Sequence, residues 1–352
     1  MCSVPKVVNI IQQADICVGL QHGDEGKGKA SYKLTQTNNY DLCVRFNGGP
    51  NAGHSIYHNG IKIVLHQIPC GILHNIPCVI GPGCVVDLTK LKNEIYTLKE
   101  LDFNISDLLF ISNNTHVIFD KHINEDIKTD TIGSTGSGIR PAYRDKYDRK
   151  GVRYDMLTKK QIYECFDGIE IKSVDIHDII KTKYNIFFEG AQGFELDIDW
   201  GDYPYVTSSS VIAGSACNCI SPKRINNIYG ICKAYDTYVG NKTFQPTNSN
   251  EMEIMEKLGT LGSEYGATTG RTRQCNWLNL DKLIRSIEIN GANIIIINKC
   301  DIIKALNVFK LIHNKLSISF QTWNEMKSYI YDILSSIHCV NDVKFSYSKI
   351  DI

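Results

Sequence analysis

A short branched-apolar run, Ile16–Leu20, leads within two residues into Gly23-Asp-Glu-Gly-Lys-Gly-Lys29. Gly23, four residues, Gly28 and Lys29 fit a phosphate-cradling loop, in which glycines let backbone N–H groups approach an anion closely. The residue after the lysine should supply a Mg²⁺-binding hydroxyl, and it is Ala30. Two carboxylates, Asp24 and Glu25, stand inside the loop instead, where they would repel a phosphate. They make sense there if one binds the metal, takes a proton, or does both.

The same kind of apolar run recurs at Leu42–Phe46, Cys78–Gly81, Leu108–Ser112, Asn185–Phe188, Ile228–Ala234 and Asn293–Ile297. Each is short and rich in branched residues, as strands buried on both faces are. Helical patterns such as Leu88–Leu101 and Asp281–Asn290 lie between them. The expected fold class is therefore α/β, a large, mainly parallel sheet flanked by helices, in a single domain spanning 1–352. Loops rich in glycine and hydroxyls at 47–55, 130–141, 199–217 and 259–273 are long enough to imply ligand binding. The net charge is zero, so no basic field favours nucleic acid. No apolar run approaches the roughly 18 residues that cross a bilayer. The first residues make a poor signal peptide, and the thirteen cysteines are scattered without a CxxC pair. Free thiols in a reducing, cytoplasmic setting are expected.

Four further segments carry chemistry. Asn298-Lys-Cys-Asp301 follows the run Ile294–Ile297, and a carboxylate there can accept from guanine N1–H and the 2-amino group. Adenine offers neither donor, so Asp301 would favour GTP over ATP. In Arg45-Phe-Asn-Gly-Gly-Pro-Asn-Ala-Gly-His-Ser55, glycines fold the backbone around a ligand and His54 can donate a proton near neutral pH. Gly133-Ser-Thr-Gly-Ser-Gly-Ile-Arg-Pro141, with the charged run Arg144–Arg153 after it, suits a second phosphate. Glu264-Tyr-Gly-Ala-Thr-Thr-Gly-Arg-Thr-Arg273 could grip a small dicarboxylate bidentately and also reach phosphate or ribose oxygens.

Taken together, GDEGKGK, NAGHS, STGSGIRPAYRDK, FEGAQGFELDIDWGDYPYVTSS, EYGATTGRTR and NKCD resemble the adenylosuccinate synthetase family, in the family's order. The resemblance covers about four-fifths of the chain. It implies a fold related to P-loop GTPases and a GTP-dependent ligase that joins IMP and L-aspartate with Mg²⁺. It also implies a homodimer, with no nucleic-acid or membrane partner. Asp24 would take the N1 proton of IMP and His54 would act as general acid, with Lys27 and Gln192 completing the catalytic set. Asp24 and the Gly53 carbonyl would hold Mg²⁺. GTP would lie against Gly23, Glu25, Gly26, Gly28, Lys29, Gly53, Ser55, Arg273, Lys299 and Asp301. IMP would meet Asp24, Asn51, Thr135, Gln192, Thr207 and Arg271, with Arg149 reaching in from the partner subunit. Ala267, Thr268, Thr269 and Arg271 would hold the aspartate.

The sequence also departs from the common pattern. His22 replaces a tryptophan, Pro50 a histidine, Ser137 an arginine and Arg140 a glycine. The family's terminal guanine loop corresponds to Ser346-Tyr-Ser348, without its glycine. Short viral relatives that use dGMP to make a 2-aminoadenine precursor are the alternative reading. Several of them replace the residue that matches Asp24, which this chain keeps. A regulatory GTPase would share the phosphate loop and Asp301 but would not need Gln192 or the loop at 264–273.

Overall fold

The computed structural model describes residues 13–130, 132–266, 270–350 and 352. Nine strands form one wholly parallel sheet in the spatial order Asp342–Phe345, Ile294–Asn298, Ile225–Lys233, Gln13–Gly19, Asn185–Glu189, Leu42–Arg45, Cys78–Ile80, Leu109–Ser112 and Lys172–Val174. All seven expected strands are present, within one to three residues of the expected ends. They are continuous apolar runs because alternate side chains enter opposite cores. Ile16 and Val18 pack on one face and Cys17 on the other, and Ile295 and Ile297 are likewise split from Ile296.

The helix Leu88–Glu100 is capped by Asp87, whose carboxylate accepts from Lys90 N, and it buries Leu91, Ile95 and Leu98. Leu280–Asn290 is capped by Asn279 and stops at Gly291, which is left-handed at φ 63°. A second, mixed sheet was not expected: Tyr235–Tyr238, Gln274–Asn279, Phe309–His313 and Leu316–Phe320.

The four long loops are shorter than their sequence suggests. His54–His58 pairs with Ile61–Leu65 in a hairpin, and Ala213–Asn218 forms 3₁₀ turns. Helix Ile139–Tyr147 takes up the end of the second loop, with Pro141 tolerated in its first turn. Helix Ser249–Gly262 runs into the fourth loop. Its glycines are helical because packing outweighs propensity: a Cβ on Gly262 would lie 2.5 Å from the Tyr235 hydroxyl. The twelve described cysteines are all free thiols.

The first strand sits where the strand order changes direction. Strands at 185, 42, 78, 109 and 172 lie to one side of it, and those at 225, 294 and 342 to the other. In open parallel sheets the crevice beyond the strand ends at such a point is the usual ligand site. The glycine loop and the segments after Arg45, Glu189, Lys233 and Asn298 all leave from those ends.

Candidate active site

Helix Lys27–Thr37 begins at Gly26, left-handed at φ 91°, with no side chain capping its first turn. Its leading N–H groups are therefore available to an anion. The loop before it is braced from inside. Glu25 is buried and its Oε1 accepts from Gln21 N (3.0 Å) and Gly23 N (2.8 Å). Lys27 is equally buried and donates to Glu25 Oε2 (2.7 Å) and the Gly23 carbonyl (2.8 Å). A Cβ on Gly193 would fall 2.3 Å from Glu25 Oε1, so only glycine leaves room for this carboxylate. Glu25, expected against GTP, and Lys27, expected in the catalytic set, are thus paired with one another beneath the loop. Asn298 ties the loop to the guanine motif by donating to the Glu25 carbonyl (2.7 Å).

Asp24 points the other way, onto the wall of the main pocket. Its carboxylate is held by Arg273 through Nε–Oδ2 and Nη2–Oδ1 contacts, both 2.8 Å. Arg273 is held in turn by Glu264, which also gathers Lys233, Lys299 and the Tyr235 hydroxyl. Burial alone would raise the Glu264 carboxyl. The Lys233, Arg273 and Lys299 charges outweigh it and hold the group at about 2.

His54 opens its strand with Nδ1 2.6 Å from Glu189 Oε1. Arg45 Nη2 donates to the same oxygen at 2.7 Å, and Cys70 N donates to Glu189 Oε2 at 2.7 Å. Arg45 and Glu189 are directly opposite each other on adjacent strands. Burial would raise Glu189, but Arg45 and His54 outweigh it and bring it down to about 2. Burial, then the Arg45 charge, lowers His54 to about 4 against the pull of Glu189. A carboxylate only accepts, so the neutral ring carries its proton on Nδ1 and leaves Nε2 bare. Gly28 permits this placement: a Cβ there would lie 2.7 Å from His54 Cβ. His54, Cys70 and Glu189 could geometrically hold a metal, but the carboxylate oxygens already serve Arg45, His54 and Cys70 N.

The pocket wall brings together Asp24, Gly23, Asn51, Gly53, His54, Thr135, Gln192, Thr207 and Arg271 from the expected set. Gln192, left-handed at φ 57°, presents both amide atoms without partners among the described residues, and Asn51 Oδ1 is likewise unpartnered among them. Arg271 donates to the Gly133 (3.0 Å) and Ser134 (3.3 Å) carbonyls, drawing two ligand loops together. The expected Mg²⁺ donors, the Asp24 carboxylate and Gly53, share this wall and offer the oxygen type that a hard cation takes.

The remaining expected residues lie off that wall. Lys29 reaches Ser346 Oγ (2.7 Å) and the Ser348 carbonyl (3.1 Å), which puts the terminal serines beside the first helix. Lys299 donates to the Gly262 carbonyl (2.7 Å), and Asp301, half-buried in the next helix, has no hydrogen bond or ion pair among the described residues. Ser55 is half-buried in the hairpin opposite Val64. Arg149 is exposed beyond the end of helix Ile139–Tyr147, away from its own pocket. Ala267, Thr268 and Thr269 lie outside the described residues. Arg45, Glu189, Glu264 and the bracing role of Asn298 were not anticipated. The only available signal was that Arg45, Glu189 and Asn298 each end a strand.

The sequence profile of the adenylosuccinate synthetase family matches residues 16–169 and 167–314. The adenylosuccinate synthetase of Chlorobium phaeobacteroides is 40% identical over 346 residues, covering 85% of this chain and 79% of that one. That of Chlorobaculum tepidum is 36% identical, covering 92% and 86%. The fully ligated adenylosuccinate synthetase of Plasmodium falciparum superposes with a TM-score of 0.76 at 30% identity, covering 89% of this chain and 85% of that one. The cyanophage S-2L succinoaminodeoxyadenylate synthetase, solved with dGMP and dATP, has a TM-score of 0.73 over 96% and 93% of the two chains. At 21% identity it shows the fold alone. With its parallel sheet, its loop carboxylate and its buried histidine, this chain belongs to the adenylosuccinate synthetase family.

Proposed function

We propose that the chain is a GTP-dependent ligase that joins IMP and L-aspartate into adenylosuccinate, releasing GDP and phosphate. One observation carries the reading. Among the described residues, His54 Nε2, both amide atoms of Gln192 and Asn51 Oδ1 are unpartnered on the pocket wall that Asp24 shares. Asp24 accepts the N1 proton of the hypoxanthine ring, and the electron pair moves to O6. O6 forms a bond to the γ-phosphorus of GTP as the bond to the β,γ-bridging oxygen breaks, and GDP leaves. His54, raised from its ligand-free state by the phosphate charge beside Nε2, donates to the transferring group, with Gln192 placing the base. The aspartate amine then bonds to C6 as the C6–O bond breaks and phosphate departs.

Asp24 and the Gly53 carbonyl are the residues that would hold Mg²⁺, which offsets the triphosphate charge when bound and answers the missing hydroxyl at Ala30. Asn51, Thr135, Thr207 and Arg271 hold IMP, and Arg271 with residues 267–269 holds the aspartate. The first-helix N-terminus, Lys29, Ser55, Arg273, Lys299 and Asp301 hold GTP. Arg149, exposed and remote from its own pocket, fits a homodimer in which it enters the neighbour's site. No described helix is long and apolar enough to cross a membrane, and a cytoplasmic enzyme of purine synthesis is the setting we infer.

Purified protein with IMP, aspartate, GTP and Mg²⁺ should form adenylosuccinate, read by absorbance, and Asp24→Ala should abolish it. Turnover with dGMP and none with IMP would overturn the substrate assignment.

A further inference from the structure

Apart from its histidines, the described pocket wall carries two cationic side chains, Arg140 and Arg271, and two carboxylates, Asp24 and Asp126. The ligase reading brings a nucleotide monophosphate into this pocket, and an arginine with N–H groups to spare is the natural partner of its phosphate. Arg271 has both Nη atoms donating to backbone, to the Gly133 and Ser134 carbonyls. Arg140 is less committed. Its Nη2 donates to the Thr129 hydroxyl, its Nε lies 3.7 Å from Asp126 Oδ1, and Nη1 has no partner among the described residues. The side chain is 51% exposed while lining the pocket, so these groups are open to a ligand.

Local structure gives Arg140 no reason of its own to be there. Helix Ile139–Tyr147 starts at Gly138, left-handed at φ 74°, with no side-chain cap and no acidic residue in its first turn. Arg140 stands in that turn, where the helix dipole favours an anion and opposes a cation. Asp126 does not account for it either. That buried carboxylate already accepts from Gly138 N at 2.9 Å through Oδ2, and it meets Arg140 only at the Nε edge of the guanidinium.

A bound phosphate supplies the missing reason. Residues 134–140 gather the donors that a phosphate monoester takes: the Ser134 and Thr135 hydroxyls, the start of a helix, and Arg140. A guanidinium can meet two phosphate oxygens at once, which leaves the third to the hydroxyls. Thr135 is steadied by Ser137, whose Oγ lies 3.1 Å from Thr135 Oγ1 and also accepts from Lys90 Nζ at 3.2 Å. Lys90 has no ion pair among the described residues, but it lines the neighbouring groove with Pro50 and Glu94 instead of this wall.

We propose that Arg140 is a further substrate-binding residue, the one in this chain's own pocket that takes the 5′-phosphate of the purine nucleotide. The inference rests on the ligase reading, which brings the nucleotide here, and it is indifferent to the base, since IMP and dGMP carry the same phosphate. Asp126 holds the guanidinium by its Nε edge and so leaves the Nη edge to the ligand. Arg140 and Ser137 are both departures from the common family pattern, which has glycine and arginine at these positions. The contact is thus a feature of this chain.

The test compares Arg140→Gln, Arg140→Lys and Lys90→Gln in the full-length protein, with melting temperature checked for each. Calorimetry reads the binding of IMP, dGMP and ribose 5-phosphate, and kinetics at saturating IMP reads KM for GTP and aspartate. Arg140→Gln should weaken all three phosphate monoesters by about tenfold or more, the worth of a charged hydrogen bond, and Arg140→Lys should recover part of the loss. KM for GTP and aspartate should stay within about threefold, a selectivity that a general fault in the fold would not produce. IMP affinity of Arg140→Gln within about twofold of the parent would overturn the proposal. So would a loss confined to aspartate, or one that follows Lys90→Gln instead. A parent protein that binds IMP or dGMP but forms no adenylosuccinate would sink the ligase reading, while the calorimetry would still decide the role of Arg140.

Discussion

Replacing Glu189 by Gln tests the buried cluster on which His54 depends. Glu189 is fully buried and accepts four times: from Arg45 Nη2, His54 Nδ1 and the Cys70 thiol at Oε1, and from Cys70 N at Oε2. Glutamine has one acceptor oxygen, and its amide N–H groups must face either Cys70 N or the Arg45 and His54 donors. In either orientation a donor meets a donor, and the Arg45 cation, 2% exposed, loses its only counter-charge in the cluster. Breaking a buried pair by neutralising one partner costs about 3–5 kcal/mol. At about 2 °C per kcal/mol for a large domain, the melting temperature should fall by about 6–10 °C. His54 also loses the acceptor that fixes its tautomer, so turnover should fall by about 10²–10⁴-fold, the usual worth of one acid–base group. Scanning calorimetry and the adenylosuccinate absorbance assay read the two effects. The control is His54→Asn, which leaves the Arg45–Glu189 pair intact and should cost activity with far less stability. A Glu189→Gln protein that melts within 2 °C of the parent would refute the claim that this carboxylate holds the cluster together.

Acid should destabilise the ligand-free protein in two stages, read by urea midpoints. His54 is lowered to about 4 from 6.5, so its neutral folded form is favoured fully above pH 6.5 and progressively less as pH falls toward 4. Glu189 is lowered to about 2 from 4.5, so its contribution is present above pH 4.5 and is lost as pH falls toward 2. His54→Asn should remove the first stage only, and an unchanged curve would count against it. Asp301→Asn should weaken GTP by 10²-fold or more in steady-state KM and improve XTP, whose 2-carbonyl can accept from the new amide. Undiminished preference for GTP would remove Asp301 from base recognition.

How much of this was legible in the sequence follows from where the information lies. Central strands announce themselves because both faces are buried, as at Ile294–Ile297 and Ile16–Leu20. The edge strands Lys172–Val174 and Asp342–Phe345 pair on one side only and carry exposed charges, so no apolar run marks them. Leu316-Ser-Ile-Ser-Phe320 alternates like a half-buried strand, yet its side chains are exposed or half-buried, and it is ordered by pairing with Phe309–His313. In the site, the glycine loop, His54, Gln192 and Asp301 were readable as motifs, because close backbone approach to phosphate and base requires particular residues at fixed spacing. The Arg45–Glu189 pair was not: it joins residues 144 positions apart that become neighbours only when their strands align. The inward turn of Glu25 and Lys27 was equally hidden, since spacing places a side chain on a loop without saying which side of it faces the ligand.

The pairing of Asp24 with Arg273 orders the events that the site can support. Both carboxylate oxygens lie 2.8 Å from the guanidinium, so in the ligand-free chain a proton or cation must compete with Arg273 for Asp24. Freeing it requires another anion for Arg273, and Glu264 is already bound to the same guanidinium and also engages Lys299, the second residue of the Asn298–Asp301 segment. On the proposed reading, the triphosphate of GTP is the anion that the loop and first helix would receive. It competes for Arg273 in the same stroke that fills the nucleotide side. Proton abstraction by Asp24 would thereby be tied to the presence of the phosphoryl donor, which would keep the proposed base from acting on IMP alone. IMP affinity measured by calorimetry should rise about tenfold when a non-hydrolysable GTP analogue and Mg²⁺ are present, and Arg273→Lys should shrink that coupling because an ammonium cannot span both oxygens. Equal IMP affinity with and without the analogue would show that Arg273 does not gate Asp24.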